Sequence, residues 1–278
     1  MDTACFKSRA MIYQFLSTLY RDEIPLELIA AMQKDEFLDG LLESVKGCGF
    51  MDLMSGSEGM SSFLKRSDAE KLYKELSYDY ADLFLNAGQH PVFPYESVHV
   101  TQEPVVMQKP VFELRAFFRK AGVHKSPEYK DLEEHIAVEM EFIRYLLEKG
   151  KEDLYKDFFK NKYLKWVVSF CDQLEASAQT DFYQALALFT RGALMCENMR
   201  IDGFPRGEET ARKLVGSIET LNLDPAYVIL TQSTVDPEPD KKILTHCYTC
   251  GGLCGMTAKL KDGILIGTSG LTGDPKGG

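Results

Sequence analysis

From about residue 3 to residue 230, apolar side chains return every three or four positions, a period that only helices can bury on one face. Phe6, Ala10, Tyr13, Leu16 and Leu19 set the pattern. Ser67-Asp68-Ala69-Glu70 supplies a capping side chain and a first-turn carboxylate, and Leu72, Leu76, Tyr80, Leu83 and Phe84 follow on one stripe. Ser126-Pro127-Glu128 reads as a second start, with Leu132, Ile136, Met140, Ile143 and Leu147 lining a helix of about five turns. Further helices are predicted over 110–121, 151–160, 161–178, 181–199 and 207–221. No stretch of comparable length alternates with period two, so the expected body is a single all-α domain of about ten helices.

Two connections interrupt the pattern. Gly47-Cys48-Gly49 through Ser55-Gly56-Ser57 to Gly59 reads as a surface connection. Asn86 to Val100, carrying Gly88, Pro91 and Pro94, is a long loop between strong helices, and loops of that length are often functional. Near residue 232 the composition changes. Two prolines among acidic residues, Asp236-Pro237-Glu238-Pro239-Asp240, make a stiff solvated linker over 232–242. It separates a domain at 1–231 from a tail at 243–278. In that tail Asp262-Gly263 stands between two short alternating segments, the strongest short-range hairpin signal.

The chain carries 42 acidic and 32 basic residues, a formal charge of −10, which disfavours nucleic acid as a partner and suits a basic peptide segment. No apolar run reaches the roughly 18–20 residues of a membrane span, so no membrane insertion is expected. The first residues lack a secretory or twin-arginine pattern, which points to the cytoplasm. Of seven cysteines, Cys5, Cys48, Cys171 and Cys196 are scattered and three cluster near the end, as in a reducing compartment with one thiol-rich site.

That site is Cys247-x2-Cys250-x3-Cys254. Three thiols so close can converge on one soft metal centre, iron–sulfur or zinc; the alternative is free or redox-labile thiols. His246 is adjacent to Cys247 and poorly placed as a further ligand. With Gly255, Asp262-Gly263 and Gly273-Asp274-Pro275, the segment resembles the N-terminal iron–sulfur segment of molybdopterin oxidoreductases. In that family a fourth cysteine follows the Gly-Asp-Pro segment and completes a [4Fe–4S] cluster. None follows here, so the ligand set is incomplete.

The body resembles a different family, the TorD/DmsD redox-enzyme maturation chaperones, over most of residues 5–225. Tyr80-Ala81-Asp82-Leu83-Phe84 is similar to its Tyr-x-x-Leu-Phe helix end, and Pro94-Tyr95-Glu96-Ser97 to its Pro-Tyr-Glu-Ser loop. Glu134-His135 with Glu139 and Phe142 is similar to its Asp-His-x-x-x-Glu-Leu-x-Phe helix; Trp166 and Phe182-Tyr183 stand where the family has a tryptophan and a Phe-Tyr pair. Leu132 and Glu133 stand in place of the proline, Glu134 in place of aspartate, and Lys162 in place of a histidine, which removes an acceptor.

The resemblance implies a chaperone rather than an enzyme, with no cofactor in the helical domain and with homodimerisation open. Its partner would be the catalytic subunit of a molybdopterin oxidoreductase, bound by its twin-arginine leader or N-terminal region while cofactor is inserted before export, in a groove of Tyr80, Phe84, Pro94, Tyr95, Glu96, Ser97, Glu134, His135, Glu139 and Phe142. Helical spacing alone would instead put Phe84 and Phe142 in the core. His135 and Glu139, one turn apart on one expected helical face, could form an acid/base dyad or a structural tie between helix and loop. The competing class is an iron–sulfur electron-transfer or redox-sensing protein centred on Cys247, Cys250 and Cys254.

Overall fold

The computed structural model describes residues 3–89, 91–204, 206–223, 229–232, 241–247, 254–261 and 264–270. The chain divides into two units, Met1–Thr231 and Gln232–Gly278.

The first unit is the expected helical body. In chain order it holds α1 (Thr3–Arg21), α2 (Leu26–Met32), α3 (Asp35–Val45), α4 (Met51–Leu64), α5 (Ala69–Phe84) and the short α6 (Glu96–Val100). Then come α7 (Lys109–Ala121), α8 (Ile136–Glu148), α9 (Glu152–Phe158), α10 (Leu164–Ser177), α11 (Asp181–Ile201) and α12 (Arg206–Glu219). A π-helical turn over Phe159–Tyr163 joins α9 to α10. β1 (Val123–Lys125) forms a two-stranded sheet with β2 (Leu230–Gln232). No described helix is long and apolar enough to cross a membrane.

The helix ends obey local chemistry. Asp68 caps α5 by accepting the Lys71 N–H at 3.0 Å. Pro110 sits in the first turn of α7, and Gly122 ends it in the left-handed region at φ 74°. α11 runs through the centre and is buried on nearly every side, with Phe182, Tyr183, Leu186, Phe189 and Leu194 all inaccessible to solvent.

The stretch expected to be a surface connection at 47–59 is mostly helix: α4 begins at Met51 and packs against α11. Its small residues serve close approach. A Cβ on Gly56 would stand 2.4 Å from the Phe189 nitrogen, and one on Gly192 would stand 2.2 Å from the Leu53 nitrogen. Glycine-rich composition, read as flexibility, here marks two backbones in contact. A second correction concerns Ser126. No helix starts there; Ser126 holds a local turn, accepting the Glu128 N–H on its hydroxyl and the Tyr129 N–H on its carbonyl. α8 starts ten residues later, and Leu132 precedes it. The loop expected over Asn86–Val100 likewise ends early, in α6.

The second unit is a three-stranded antiparallel sheet, β3 (Lys241–Cys247), β4 (Cys254–Lys261) and β5 (Ile264–Gly270), in the order β3-β4-β5. The β4–β5 pair is the expected hairpin, with Lys261 opposite Ile264 and a register shift between Lys259 and Leu260; β3 was not anticipated. Cys247 and Cys254 are register partners. Cys250, the linker residues 233–240, Asp262-Gly263 and Gly273-Asp274-Pro275 lie outside the described residues.

Candidate functional site

Two loops that are distant in sequence are stitched together by their backbones. Tyr95 and His135 form an isolated antiparallel bridge. Beside it the Glu96 N–H donates to the Glu134 carbonyl at 3.2 Å, and the Ile136 N–H donates to the carbonyl of buried Pro94 at 2.9 Å. Each bond satisfies a backbone group that a helix start leaves open.

His135 is the N-cap of α8, not a member of the helix. Its extended backbone (φ −68°, ψ 139°) lets Nδ1 accept the Ala137 N–H at 3.1 Å. That bond leaves the proton on Nε2, which lies 3.8 Å from the Asp131 carboxylate. Burial pushes the imidazole down to about 4, against the opposing charge of Asp131, so it is neutral at ordinary pH. The ring meets Tyr95 edge to face at 5.4 Å. Of the two readings of His135 and Glu139, the acid/base dyad does not form, since the two side chains serve different partners, and His135 instead ties the start of α8 to the loop at Tyr95.

Glu134 is fully buried and acts as a clasp. One carboxylate oxygen accepts the Ser97 N–H at 2.8 Å, at the start of α6, and the other accepts the Met107 N–H at 2.5 Å. Ser97 in turn accepts the Gln108 N–H on its hydroxyl at 3.2 Å.

Glu139 points inward to a second buried cluster. One oxygen of its carboxyl accepts the Trp166 indole N–H at 3.1 Å; the other, Oε1, is buried without a hydrogen-bond partner among the described residues. Lys162, 4% exposed, donates to Glu96 at 2.5 Å and to the Pro110 carbonyl at 2.8 Å. Burial, and then the neighbouring Glu96 charge, push Glu139 well above the usual carboxyl range. Burial raises Glu96 as well, opposed by the Lys162 ammonium. Glu139 is therefore the protonated, neutral one of the two carboxyls, and Glu96 stays paired with Lys162. The lysine that stands where the resembled family has a histidine is thus a buried ion-pair partner, reached from a π-helical turn. The sequence offers three lysines here, Lys160, Lys162 and Lys165, amid Phe158, Phe159, Tyr163, Leu164 and Trp166, and no local pattern marks Lys162 as the buried one.

The aromatic candidates divide. Phe84 packs on Tyr20, Tyr80, Phe170 and Tyr183, whereas Phe142 packs on Phe118 and Phe158. Both are buried in one continuous core, so neither lines a groove. Tyr80 is also largely buried but carries a different environment. Burial raises its phenol, and the carboxylates of Asp22, Asp131 and Glu23 raise it further. Tyr95 donates its hydroxyl to Asp131 at 2.9 Å. Asp22, whose side chain is 64% exposed, is raised by burial of its remainder and by Asp131, against the pull of Arg21. The result is an acidic notch around two tyrosine rings, on one flank of the bridge between Tyr95 and His135.

No group of three or more metal-ligating side chains gathers among the described residues. Cys171 and Cys196 are buried, and burial raises both thiols, Cys196 to about 12, which makes them poor nucleophiles and poor ligands.

Buried polar groups spent on holding loops, beneath an accessible acidic notch, define a helical binding scaffold. Residues 52–172 match the family described as nitrate reductase delta subunit. The chain is 25% identical over 195 residues, 65% of its length and 88% of the relative's, to the chaperone protein TorD of Vibrio parahaemolyticus. It is 26% identical over 198 residues to the TorD chaperone of Vibrio vulnificus, covering 64% of this chain and 87% of that one. Over 119 residues, 43% of this chain and 58% of the relative, it is 29% identical to the probable Tat proofreading chaperone DmsD of Haemophilus influenzae. The helical body is thus similar in sequence to the TorD and DmsD chaperones, which supports a chaperone role rather than an enzymatic one.

Proposed function

We propose that this protein is a cytoplasmic chaperone for the catalytic subunit of a molybdoenzyme, and that it holds the subunit's twin-arginine leader until cofactor insertion is complete. The observation that carries the reading is the acidic notch. Asp22, Glu23 and Asp131 surround Tyr80, and Tyr95 orients Asp131 through its hydroxyl. Exposed and partly exposed carboxylates suit guanidinium groups, which pair with their oxygens. The bridge of Tyr95 with His135 and the clasp of Glu134 on Ser97 pre-form the notch, which reduces the ordering cost of binding.

Calorimetry with the full chain and a leader peptide bearing two consecutive arginines tests this. The double variant Asp22→Asn/Asp131→Asn is expected to weaken binding by about tenfold or more, and binding should fall as salt rises. Equal affinity for the wild type and the double variant would refute the notch as the arginine site.

A further inference from the structure

The second unit sets two of the chain's seven cysteines directly opposite each other. β3 and β4 pair through seven consecutive positions without a shift, from Lys241 opposite Leu260 to Cys247 opposite Cys254. Opposed residues of an antiparallel ladder share one face of the sheet, with Cα atoms about 4.5 or 5.5 Å apart according to their place in the hydrogen-bond pattern. Both separations fall inside the roughly 4.4–6.8 Å that a disulfide spans. Register is what brings the two together: a slip of one residue would set Cys247 opposite Leu253 or Gly255 instead. In the helical unit, Cys171 and Cys196 are buried with their thiols raised, and Cys48 is half-buried against the core. The strand that carries Cys247 begins instead in the open, with residues 241–244 all exposed.

We propose that Cys247 and Cys254 are a reversible redox pair, closed into a cross-strand disulfide by exchange with a small-molecule disulfide. The thiolate of one cysteine attacks the small disulfide, breaking its S–S bond and releasing one small thiol. The thiolate of the other then attacks the protein sulfur of the mixed disulfide and releases the second small thiol. In sum the pair loses two electrons and two protons, and the small disulfide takes up both to become two thiols. The ladder holds the second cysteine at high effective concentration, so ring closure outruns accumulation of the mixed disulfide. The new bond closes a ring over residues 247–254 and ties β3 to β4. A three-stranded sheet with no described helix in its own unit gains much from such a tie. In a reducing compartment a disulfide of this kind reports on redox conditions rather than serving as a permanent framework.

The full chain, purified under reduction and transferred to mixtures of oxidised and reduced glutathione, tests the pair. Remaining thiols are alkylated, and chymotryptic cleavage after Tyr248 and Leu253 puts Cys247, Cys250 and Cys254 on separate peptides. Wild type is expected to lose two thiols, to yield a peptide linked through Cys247 and Cys254, and to regain both thiols on return to reduced glutathione. Cys250→Ser should keep that linkage, whereas Cys247→Ser and Cys254→Ser should each abolish it. Amide exchange in β3 and β4 should slow about tenfold when wild type is oxidised, and should not change in Cys254→Ser. The linkage is read in wild type itself, so a variant that misfolds leaves the result intact. Three results overturn the proposal: no loss of thiols at any glutathione ratio, a dominant linkage through Cys250 or a cysteine of the helical unit, or iron or zinc retained by the purified chain with all three thiols shielded from alkylation.

Discussion

The ammonium of Lys162 lies 2.5 Å from the carboxylate of Glu96, and both side chains are at most 5% exposed. The pair fastens the start of α6 to the π-helical turn before α10, and Lys162 reaches the first turn of α7 through the Pro110 carbonyl. Three elements around the notch thus share one buried charge. Replacing Lys162 by methionine leaves Glu96 buried without its counter-charge, and the expected loss is about 3 kcal/mol by chemical denaturation. Lys162→Met/Glu96→Gln should recover most of it. A single variant as stable as wild type would show that the pair contributes nothing net.

Glu139 gives the fold a dependence on alkaline pH. Folded, it keeps a proton that an unfolded glutamate releases near 4.5. As the pH rises above that value the unfolded chain binds fewer protons than the folded one, so stability declines toward the raised folded value. Glu139→Gln imitates the neutral acid and can still accept the Trp166 N–H. It should flatten the decline between about pH 5 and 9 and be at least as stable as wild type at neutral pH. Denaturation midpoints across that range measure it, and a slope unchanged by the substitution would contradict the assignment of the proton.

His135 acts in the opposite direction. Its folded value is near 4 against an ordinary 6.5, so between these values the unfolded chain binds more protons and stability is lost as the pH falls. The full difference is about 3 kcal/mol. Asparagine at this position keeps a capping oxygen for the Ala137 N–H but cannot titrate. The acid limb should flatten in His135→Asn. Persistence of the same acid limb would assign it to other groups.

Glu134→Ala removes the acceptor of two N–H groups, those of Ser97 and Met107. The expected cost is about 3 kcal/mol, because two backbone N–H groups lose their acceptor together. Amide exchange at Met107 should accelerate more than the global loss of stability accounts for, since the clasp sets the loop between α6 and α7 locally. Exchange that rises uniformly would mean that the loop is held by other contacts.

Gly192→Ala should be the most damaging small change in the helical unit. The added carbon would stand 2.2 Å from the Leu53 nitrogen, and α4 and α11 would have to part. About 3 kcal/mol or more is expected in denaturation. A tolerated substitution would show that the two helices can separate freely.

Much of the site was readable only in part. The sequence pointed to the Pro-Tyr-Glu-Ser loop and to Glu134-His135, and these do meet, across the Tyr95–His135 bridge. The resemblance placed Phe84 and Phe142 in a groove, whereas the fold buries both in the core, as their helical spacing suggested. The sequence placed His135 on a helical face with Glu139, because a stripe that includes Leu132 and Ile136 runs past the true start of α8. Periodicity counts apolar positions and cannot see that the backbone at His135 is extended. Nor could it show the acidic notch, since Asp22 and Asp131 are more than a hundred residues apart in the chain.

By itself, the sequence determined the helical body, the cap at Asp68, the glycine end of α7 and the hairpin of the second unit, because each depends on residues within a turn or two of one another. Only the tertiary structure decided that Gly56 and Gly192 are contact points, that Lys162 answers Glu96 and that Glu134 fastens the loop between α6 and α7. Those outcomes depend on which helix faces meet and how little water remains between them. A lysine 66 residues from its partner becomes an ion-pair anchor only when both are buried together.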